Sequence, residues 1–338
     1  MDGFKPMRLV TLIIVNWNGR PLLPECLESL RKQEFRDFET ILVDNGSSDG
    51  SVDWVKKNYP EIRIVSLSRN TGFCVANNIG FSKVKTRYVA LLNNDAIAHP
   101  LWLLNLVTGL ETHEQAGSAA SKILHYAKPD IIDRAGDGYT NAGAGLLRGR
   151  GMPSSAYDKP QWIFGACAAA ALYRKSMIDH IGFFDEDFFL IYEDVDLSFR
   201  AQLNGYKCLY VPDATVYHKA SSTIVRDSDI SIYYGHRNLE WVYLKNMPFV
   251  LIMETLFFHM IHTFGSVLYF SSRGKIKSII RAKSDAIKQI KRVLKKRQDV
   301  QKSKQVDNAY LRNLFERESF FDRLAMRSSS HRDTRNNK

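Results

Sequence analysis

Four times before residue 100 the chain runs through a short apolar, β-branched stretch and then breaks into Asn, Asp and Gly. Residues 9–15 read LVTLIIV and end in NWNG. Residues 39–51, ETILVDNGSSDGS, repeat the pattern, with Ile41 to Val43 followed by Asp44-Asn45-Gly46. Residues 62–73, IRIVSLSRNTGF, give a third strand that ends near Arg69-Asn70, and Tyr88 to Leu92 give a fourth that opens into Asn93-Asn94-Asp95. Between them lie helical spacings: Leu23, Leu27 and Leu30, then 52–58, then 74–85 after Gly72. Strands alternating with helices demand a helix-covered parallel sheet with right-handed crossovers. All four polar ends then fall on one edge, where open α/β sheets bind ligands. Each cluster, taken alone, also reads as an ordinary strand-terminating turn.

The second half has a different grain. Residues 135–153 are glycine-rich and are expected to form a long loop. Residues 164–174, FGACAAAALYR, read as a buried strand of small side chains. After IGFFDEDFFLI, the positions Val195, Phe199 and Leu203 recur every four residues, with Gly205 as a stop. Glu193 and Asp194 therefore open a helix, where its dipole tolerates negative charge. KCLYVPDATVYH adds a further strand ending at His218. The four cysteines show no zinc-finger or redox spacing, which points to a reduced cytosolic compartment, and the amino terminus has no apolar signal core.

The stretches VNWNG, VDNGSSDGS, RNTGF, LLNNDAIAHP, GACAAAALYR, FFDEDFFLIYEDVDLSFR and VYH, in this order, resemble family-2 glycosyltransferases, in particular the rhamnosyltransferase-like branch. The resemblance covers roughly residues 9–240. It implies an α/β GT-A (Rossmann-like) fold, a mixed, mostly parallel sheet covered by helices. It also implies transfer of a sugar from a nucleotide diphosphate. A departing diphosphate gains negative charge, which a divalent cation, Mg²⁺ or Mn²⁺, can neutralise through oxygen ligands. The family holds this cation with an Asp-x-Asp motif. Here Asn93-Asn94-Asp95 stands in its place, so Asp95 is the expected metal ligand, while Asn93 and Asn94 are expected on the donor side. His218 resembles the family's later metal or diphosphate contact; the alternative is an ordinary core or solvated histidine. Asp44 is expected to accept hydrogen bonds from the base, with Asn16, Trp17, Asn18, Arg69 and Asn70 framing the nucleotide, although Trp17 is open to a purely structural role. Arg237, in YYGHRNLEWVYLKN, either pairs with the diphosphate or is a surface helix residue. The family's base maps to Asp194, with Glu193 on the acceptor side. A carboxylate within reach of the attacking hydroxyl suits that task. No nucleophile triad or second carboxylate motif suggests a covalent intermediate, which fits single displacement with inversion.

The formal charge of +11 is unevenly spread: residues 271–338 carry 20 Lys and Arg against 7 Asp and Glu, a net +13, which leaves −2 for the rest. Such a tail seeks a polyanion. Residues 249–270 are 22 long and 15 of them apolar, enough to span a bilayer. However, Thr255, His259, His262, Thr263 and Ser266 fall on one arc, which favours a helix lying in the interface beside an anionic membrane surface. A core helix is the competing reading. The expected layout is a catalytic domain over 1–240 (1–98 nucleotide-binding, 99–240 acceptor-side), a membrane-associating helical region over 241–300 and a flexible basic tail over 301–338. The expected activity is transfer of L-rhamnose from dTDP-rhamnose to a lipid-linked or polysaccharide hydroxyl at the inner membrane face, with UDP- or GDP-sugars as alternative donors. A nucleic-acid-binding protein is the reading from a different class. It is disfavoured because the body carries carboxylates and amides rather than an arginine-aromatic face.

Overall fold

The structure, a computed structural model, describes residues 8–219 and 227–316. The alternation in the sequence is realised as β1 (Val10–Asn16), α1 (Leu23–Arg31), β2 (Phe38–Asp44), α2 (Ser51–Asn58), β3 (Arg63–Ser66), α3 (Phe73–Phe81) and β4 (Tyr88–Leu92). Strands β4, β1, β2 and β3 lie side by side and parallel. The β1–β2 register runs from Val10 against Phe38 to Asn16 against Asp44, so these two polar residues end their strands together. Both faces are helix-covered, and accordingly Leu12, Ile13, Ile14, Ile41, Leu42 and Val43 are all buried, with no polar alternation. Gly72 has φ +90°, and a Cβ there would lie 2.5 Å from the Phe189 ring, so only glycine fits this turn into α3.

Past the Asn93-Asn94-Asp95 break come β5 (Ala96–Ala98), α4 (Trp102–Thr112), β6 (Ala116–His125) and β7 (Lys128–Arg134). The glycine-rich segment is less of a loop than expected: it holds two three-residue strands, β8 (Asp137–Tyr139) and β9 (Gly145–Leu147). Then follow β10 (Gln161–Ile163), β11 (Ala170–Arg174), α5 (Lys175–Ile181), α6 (Glu193–Leu203) and β12 (Lys207–His218). The ten-stranded sheet has the order β10-β12-β6-β11-β4-β1-β2-β3, with β5 and β7 attached to β12 and β6. Strand β11 is inserted antiparallel between β4 and β6, while β12 returns parallel to β6. The small side chains of β11, Ala170 and Ala171, let this central strand sit fully buried beneath its covering helices.

The described residues fall into two compact units, 8–137 with 147–219, and 138–146 with 227–316. The second unit contains α7 (Asp229–Asn246), α8 (Phe249–Ser272), α9 (Ile276–Lys288), α10 (Ile290–Lys302) and α11 (Asn308–Leu314). The first unit therefore stops short of the boundary placed at 240. Helix α7 belongs with α9 and α10: Trp241 Nε1 donates to Ala286 O (3.4 Å), and Arg297 Nη1 donates to Leu244 O and Met247 O (2.6 Å each). The tail read as flexible from 301 begins with ordered helix, and residues 317–338 of it lie outside the described residues.

Candidate active site

The polar strand ends are wired to one another. Asn16 Nδ2 donates to Asp44 Oδ1 and to Ser47 Oγ (3.2 Å each), and Asn94 Nδ2 donates to Asn16 Oδ1 (2.9 Å). Gly19 makes this possible, because a Cβ there would come within 2.2 Å of Asn94 Nδ2 and 2.4 Å of Asn16 Oδ1. Asp44 Oδ2 also accepts from Ser47 N (3.0 Å), so the turn and the presentation of Asp44 are one structure. Asn18, at φ +49°, accepts from Ser48 N (2.8 Å) and secures the same loop. Asn70 Oδ1 accepts from Asn45 Nδ2 (3.0 Å) and Gly72 N (2.9 Å), fixing the β3 end beside that of β2. Trp17 and Arg69 are exposed, and Asn93 is half-buried with its N–H donating to Ala169 O (2.9 Å).

Asp95 and His218 lie 123 residues apart in sequence and meet at 3.1 Å, His218 Nε2 to Asp95 Oδ1. The other ring nitrogen, Nδ1, is 2.9 Å from Asp133 Oδ2, and Arg150 Nη2 donates to Asp133 Oδ1 (2.7 Å). Burial alone would lower the His218 pKa; the hydrogen bonds to Asp133 and Asp95 override it and raise it to about 9. The donor set suits a hard or borderline divalent cation. One carboxylate oxygen and one imidazole nitrogen 3.1 Å apart match the edge of an octahedron, about 3 Å for bonds of ~2.1 Å. Asp133 supplies the outer carboxylate that orients a ligating histidine.

The start of α6 forms a third group. Phe189, Ile191 and Tyr192 all have positive φ, strained for non-glycine residues, and they aim the chain into Glu193-Asp194. Asp194 Oδ2 accepts from Ala168 N (3.3 Å) and lies 3.8 Å from Arg134 Nη1, which itself binds Asp137 Oδ1 at 3.0 Å. Asp137 Oδ2 is buried and finds no donor among the described residues. Burial, reinforced by the neighbouring Asp194 charge, pushes the Asp137 pKa up to about 8 against the pull of Arg134. A proton on Asp137 makes its orphaned oxygen a donor toward Asp194 and relieves the repulsion between the two carboxyls. Glu193 is likewise raised well above the usual carboxylate range by burial and by Asp194, and its Oε2 also lacks a donor among the described residues. Asp137, Asp194 and Cys167 approach one another within 4.8 Å. Yet the Arg134 cation sits among them and burial holds the Cys167 thiol protonated, so this trio is not a metal centre. Asp196, by contrast, is held by Arg200 (2.9 Å), which also binds the 181–183 carbonyls, a structural role.

These three groups are continuous within the first unit. Asp44 reaches Asn94 through Asn16, and Asp95 follows Asn94. Asp95 reaches Asp133 through His218, and Arg134 follows to Asp194. Arg237 lies in the second unit, where it is buried rather than on a helix surface, its guanidinium 4.1 Å from the Trp241 ring centroid. Sequence reasoning overlooked Asp133, Arg134 and Asp137. Their signal was a charged pair directly after Ile131-Ile132, masked by the surrounding glycines. An open cavity of about 560 Å³ lined by His99, Asn105, Lys122 and Asp213 shares no residue with the cluster.

Solved glycosyltransferases share the fold. GalNAc-T7 with UDP, GalNAc and Mn²⁺ matches 70% of this chain and 48% of its own at TM-score 0.57 and 17% identity. The mannosyltransferase PcManGT of Pyrobaculum calidifontis, with GDP-Man and Mn²⁺, matches 84% of this chain and 76% of its own at TM-score 0.53 and 16% identity. The sheet order and helix cover are those of the GT-A fold. Residues 11–182 match the model for Glycosyl transferase family 2, and the chain belongs to that family. Among curated relatives, an N-acetylglucosaminyl-diphospho-decaprenol L-rhamnosyltransferase of Mycobacterium tuberculosis is 27% identical over 249 residues, 64% of this chain and 78% of the relative.

Proposed function

We propose that this glycosyltransferase inverts the anomeric centre while moving a sugar, first of all L-rhamnose from dTDP-rhamnose, onto a hydroxyl of a lipid-linked or polysaccharide acceptor in cell-surface glycan synthesis. It works at the cytoplasmic face of the membrane. The observation that carries this reading is the continuous path Asp44–Asn16–Asn94, Asp95–His218–Asp133 and Arg134–Asp194 along one edge of the sheet. The relative in Mycobacterium tuberculosis, whose name specifies L-rhamnose and a diphospho-decaprenol acceptor, supports the choice of donor and acceptor class.

In this reading Asp44 accepts from the imide N–H of the base, an edge that thymine and uracil share, while Asn16 and Ser47 hold its carboxylate. Trp17, Asn18, Arg69, Asn70, Asn93 and Asn94 frame the rest of the donor. Asp95 and His218 hold a divalent ion, Mg²⁺ or Mn²⁺, which supplies charge neutralisation for the leaving diphosphate. The Asp194 carboxylate takes the proton of the acceptor hydroxyl as that oxygen attacks. Arg134, bound to Asp137, holds Asp194 in place. Glu193 retains its proton and donates a hydrogen bond on the acceptor side. The test is a panel of dTDP-, UDP- and GDP-sugars with purified protein and Mn²⁺, following nucleotide diphosphate release with a polyprenyl-diphosphate-linked acceptor. Release from dTDP-rhamnose is expected. Release from a UDP- or GDP-sugar alone moves the donor, and release from none sinks the reading.

A further inference from the structure

Helix α8 is amphipathic the wrong way round for a protein in water. Its buried positions Leu251, Thr255, His259, His262, Ser266 and Phe270 recur at three- and four-residue spacing along one arc, and most of them are polar. The opposite arc carries Phe249, Met253, Phe257, Met260, Phe264 and Leu268, each more than half exposed. The inward arc is pinned by a buried ionic cluster. His259 Nε2 lies 2.9 Å from Glu240 Oε2, Thr263 Oγ1 donates to Glu240 Oε1 (3.1 Å), and Lys283 Nζ pairs with the same carboxylate. His259 also stacks on Tyr243 at 3.8 Å. The apolar arc is therefore presented outward by design of the packing, since rotating the helix would break the cluster. Helix α9, which packs against it, exposes Ile280 and Ile287, and α10, packed on α7, exposes Leu294. Residues 273–304 carry 13 Lys and Arg against 2 Asp, a net +11. Glu254, an acid exposed on α8, is neutralised by Arg312 at 2.7 Å.

We infer that the second unit docks on an anionic bilayer with α8 lying in the plane of the interface, its outward arc in the acyl region and the lysines and arginines of α9 and α10 on acidic headgroups. This deepens the membrane-face reading above and rests on it. The charge argues for lipid over a second copy of the chain, because two copies of a unit this positive repel. The packing argues for lying in the interface over spanning, because α8 is hydrogen-bonded to Glu240, which pairs with Lys283, and a span would draw that cluster into hydrocarbon.

The experiment sediments the full chain with vesicles of phosphatidylcholine alone and of an equal mixture with phosphatidylglycerol, at low and high salt, beside Phe257→Glu/Phe264→Glu and Lys291→Glu/Lys295→Glu. The inference expects binding to the mixed vesicles that weakens with salt, and release by alkaline carbonate. Both double variants should lose affinity by at least about tenfold, while nucleotide release in detergent stays at the parent level. Retention after carbonate shows a span and overturns the inference. So does an absence of vesicle binding, with or without a dimer in analytical ultracentrifugation that Phe257→Glu/Phe264→Glu dissociates. If the aromatic pair of changes prevents folding, the lysine pair, on exposed positions, decides by the same readout. Detergent-phase nucleotide release separates this failure from failure of the transferase reading.

Discussion

Asp137→Asn tests for a proton held on Asp137 beside the buried Asp194. Asp137 is almost fully buried, 3.0 Å from Arg134, with Oδ2 lacking a donor among the described residues. Its pKa is pushed up to about 8 from an ordinary 3.8. The folded protein thus holds a proton that the unfolded chain releases once the pH passes about 4. Stability falls as pH rises across that window and levels off above about 8. A gap of about 4 units at ~1.4 kcal/mol each sets a ceiling of about 6 kcal/mol on the loss. Asparagine carries the same shape without the titration: Oδ1 still accepts from Arg134 and the amide can donate to Asp194. The variant is therefore expected to match the parent near pH 4 and to exceed it by several kcal/mol at pH 8. Urea unfolding between pH 5 and 8 measures this in a Trp241→Phe background, so that the remaining tryptophans, all in the first unit, report on that unit alone. Parallel stability curves for parent and variant across that range would refute a proton held on Asp137.

Asp194→Asn should keep donor binding by calorimetry yet lower transfer by about 10²–10⁴-fold; transfer at the parent rate would remove the base assignment. Asp133→Asn should weaken Mn²⁺ binding by about 10–100-fold in a paramagnetic titration, because His218 loses the partner that orients its ring; an unchanged affinity would make Asp133 merely structural. Gly72→Ala forces φ +90° on an alanine whose Cβ meets the Phe189 ring, and should cost about 1–3 kcal/mol of stability in urea unfolding. In the second unit, Glu240 is drawn far below the usual carboxylate range by His259 and Lys283 despite its burial. Its contribution is present above about pH 4.5 and lost as the pH falls further, so Lys283→Met should flatten the acid arm of unfolding monitored at Trp241.

The sequence by itself determined the alternation of strand and helix and the polar strand ends, since side-chain periodicity and turn chemistry are local properties. The positions of Asp44 and Asp95 at strand ends and of Asp194 at a helix start were legible for the same reason, while the roles expected of them came from the family resemblance. Only the tertiary structure decided that β11 enters antiparallel beside β4, and that Asp133 meets a histidine 85 residues away. It also decided that Arg134 stands between two acids and that Arg237 falls to the other unit. The polar arc of α8 was visible as an arc, but periodicity gives the width of a face and not what it faces. That choice belonged to Glu240 and Lys283, whose buried charges left the helix one stable rotation.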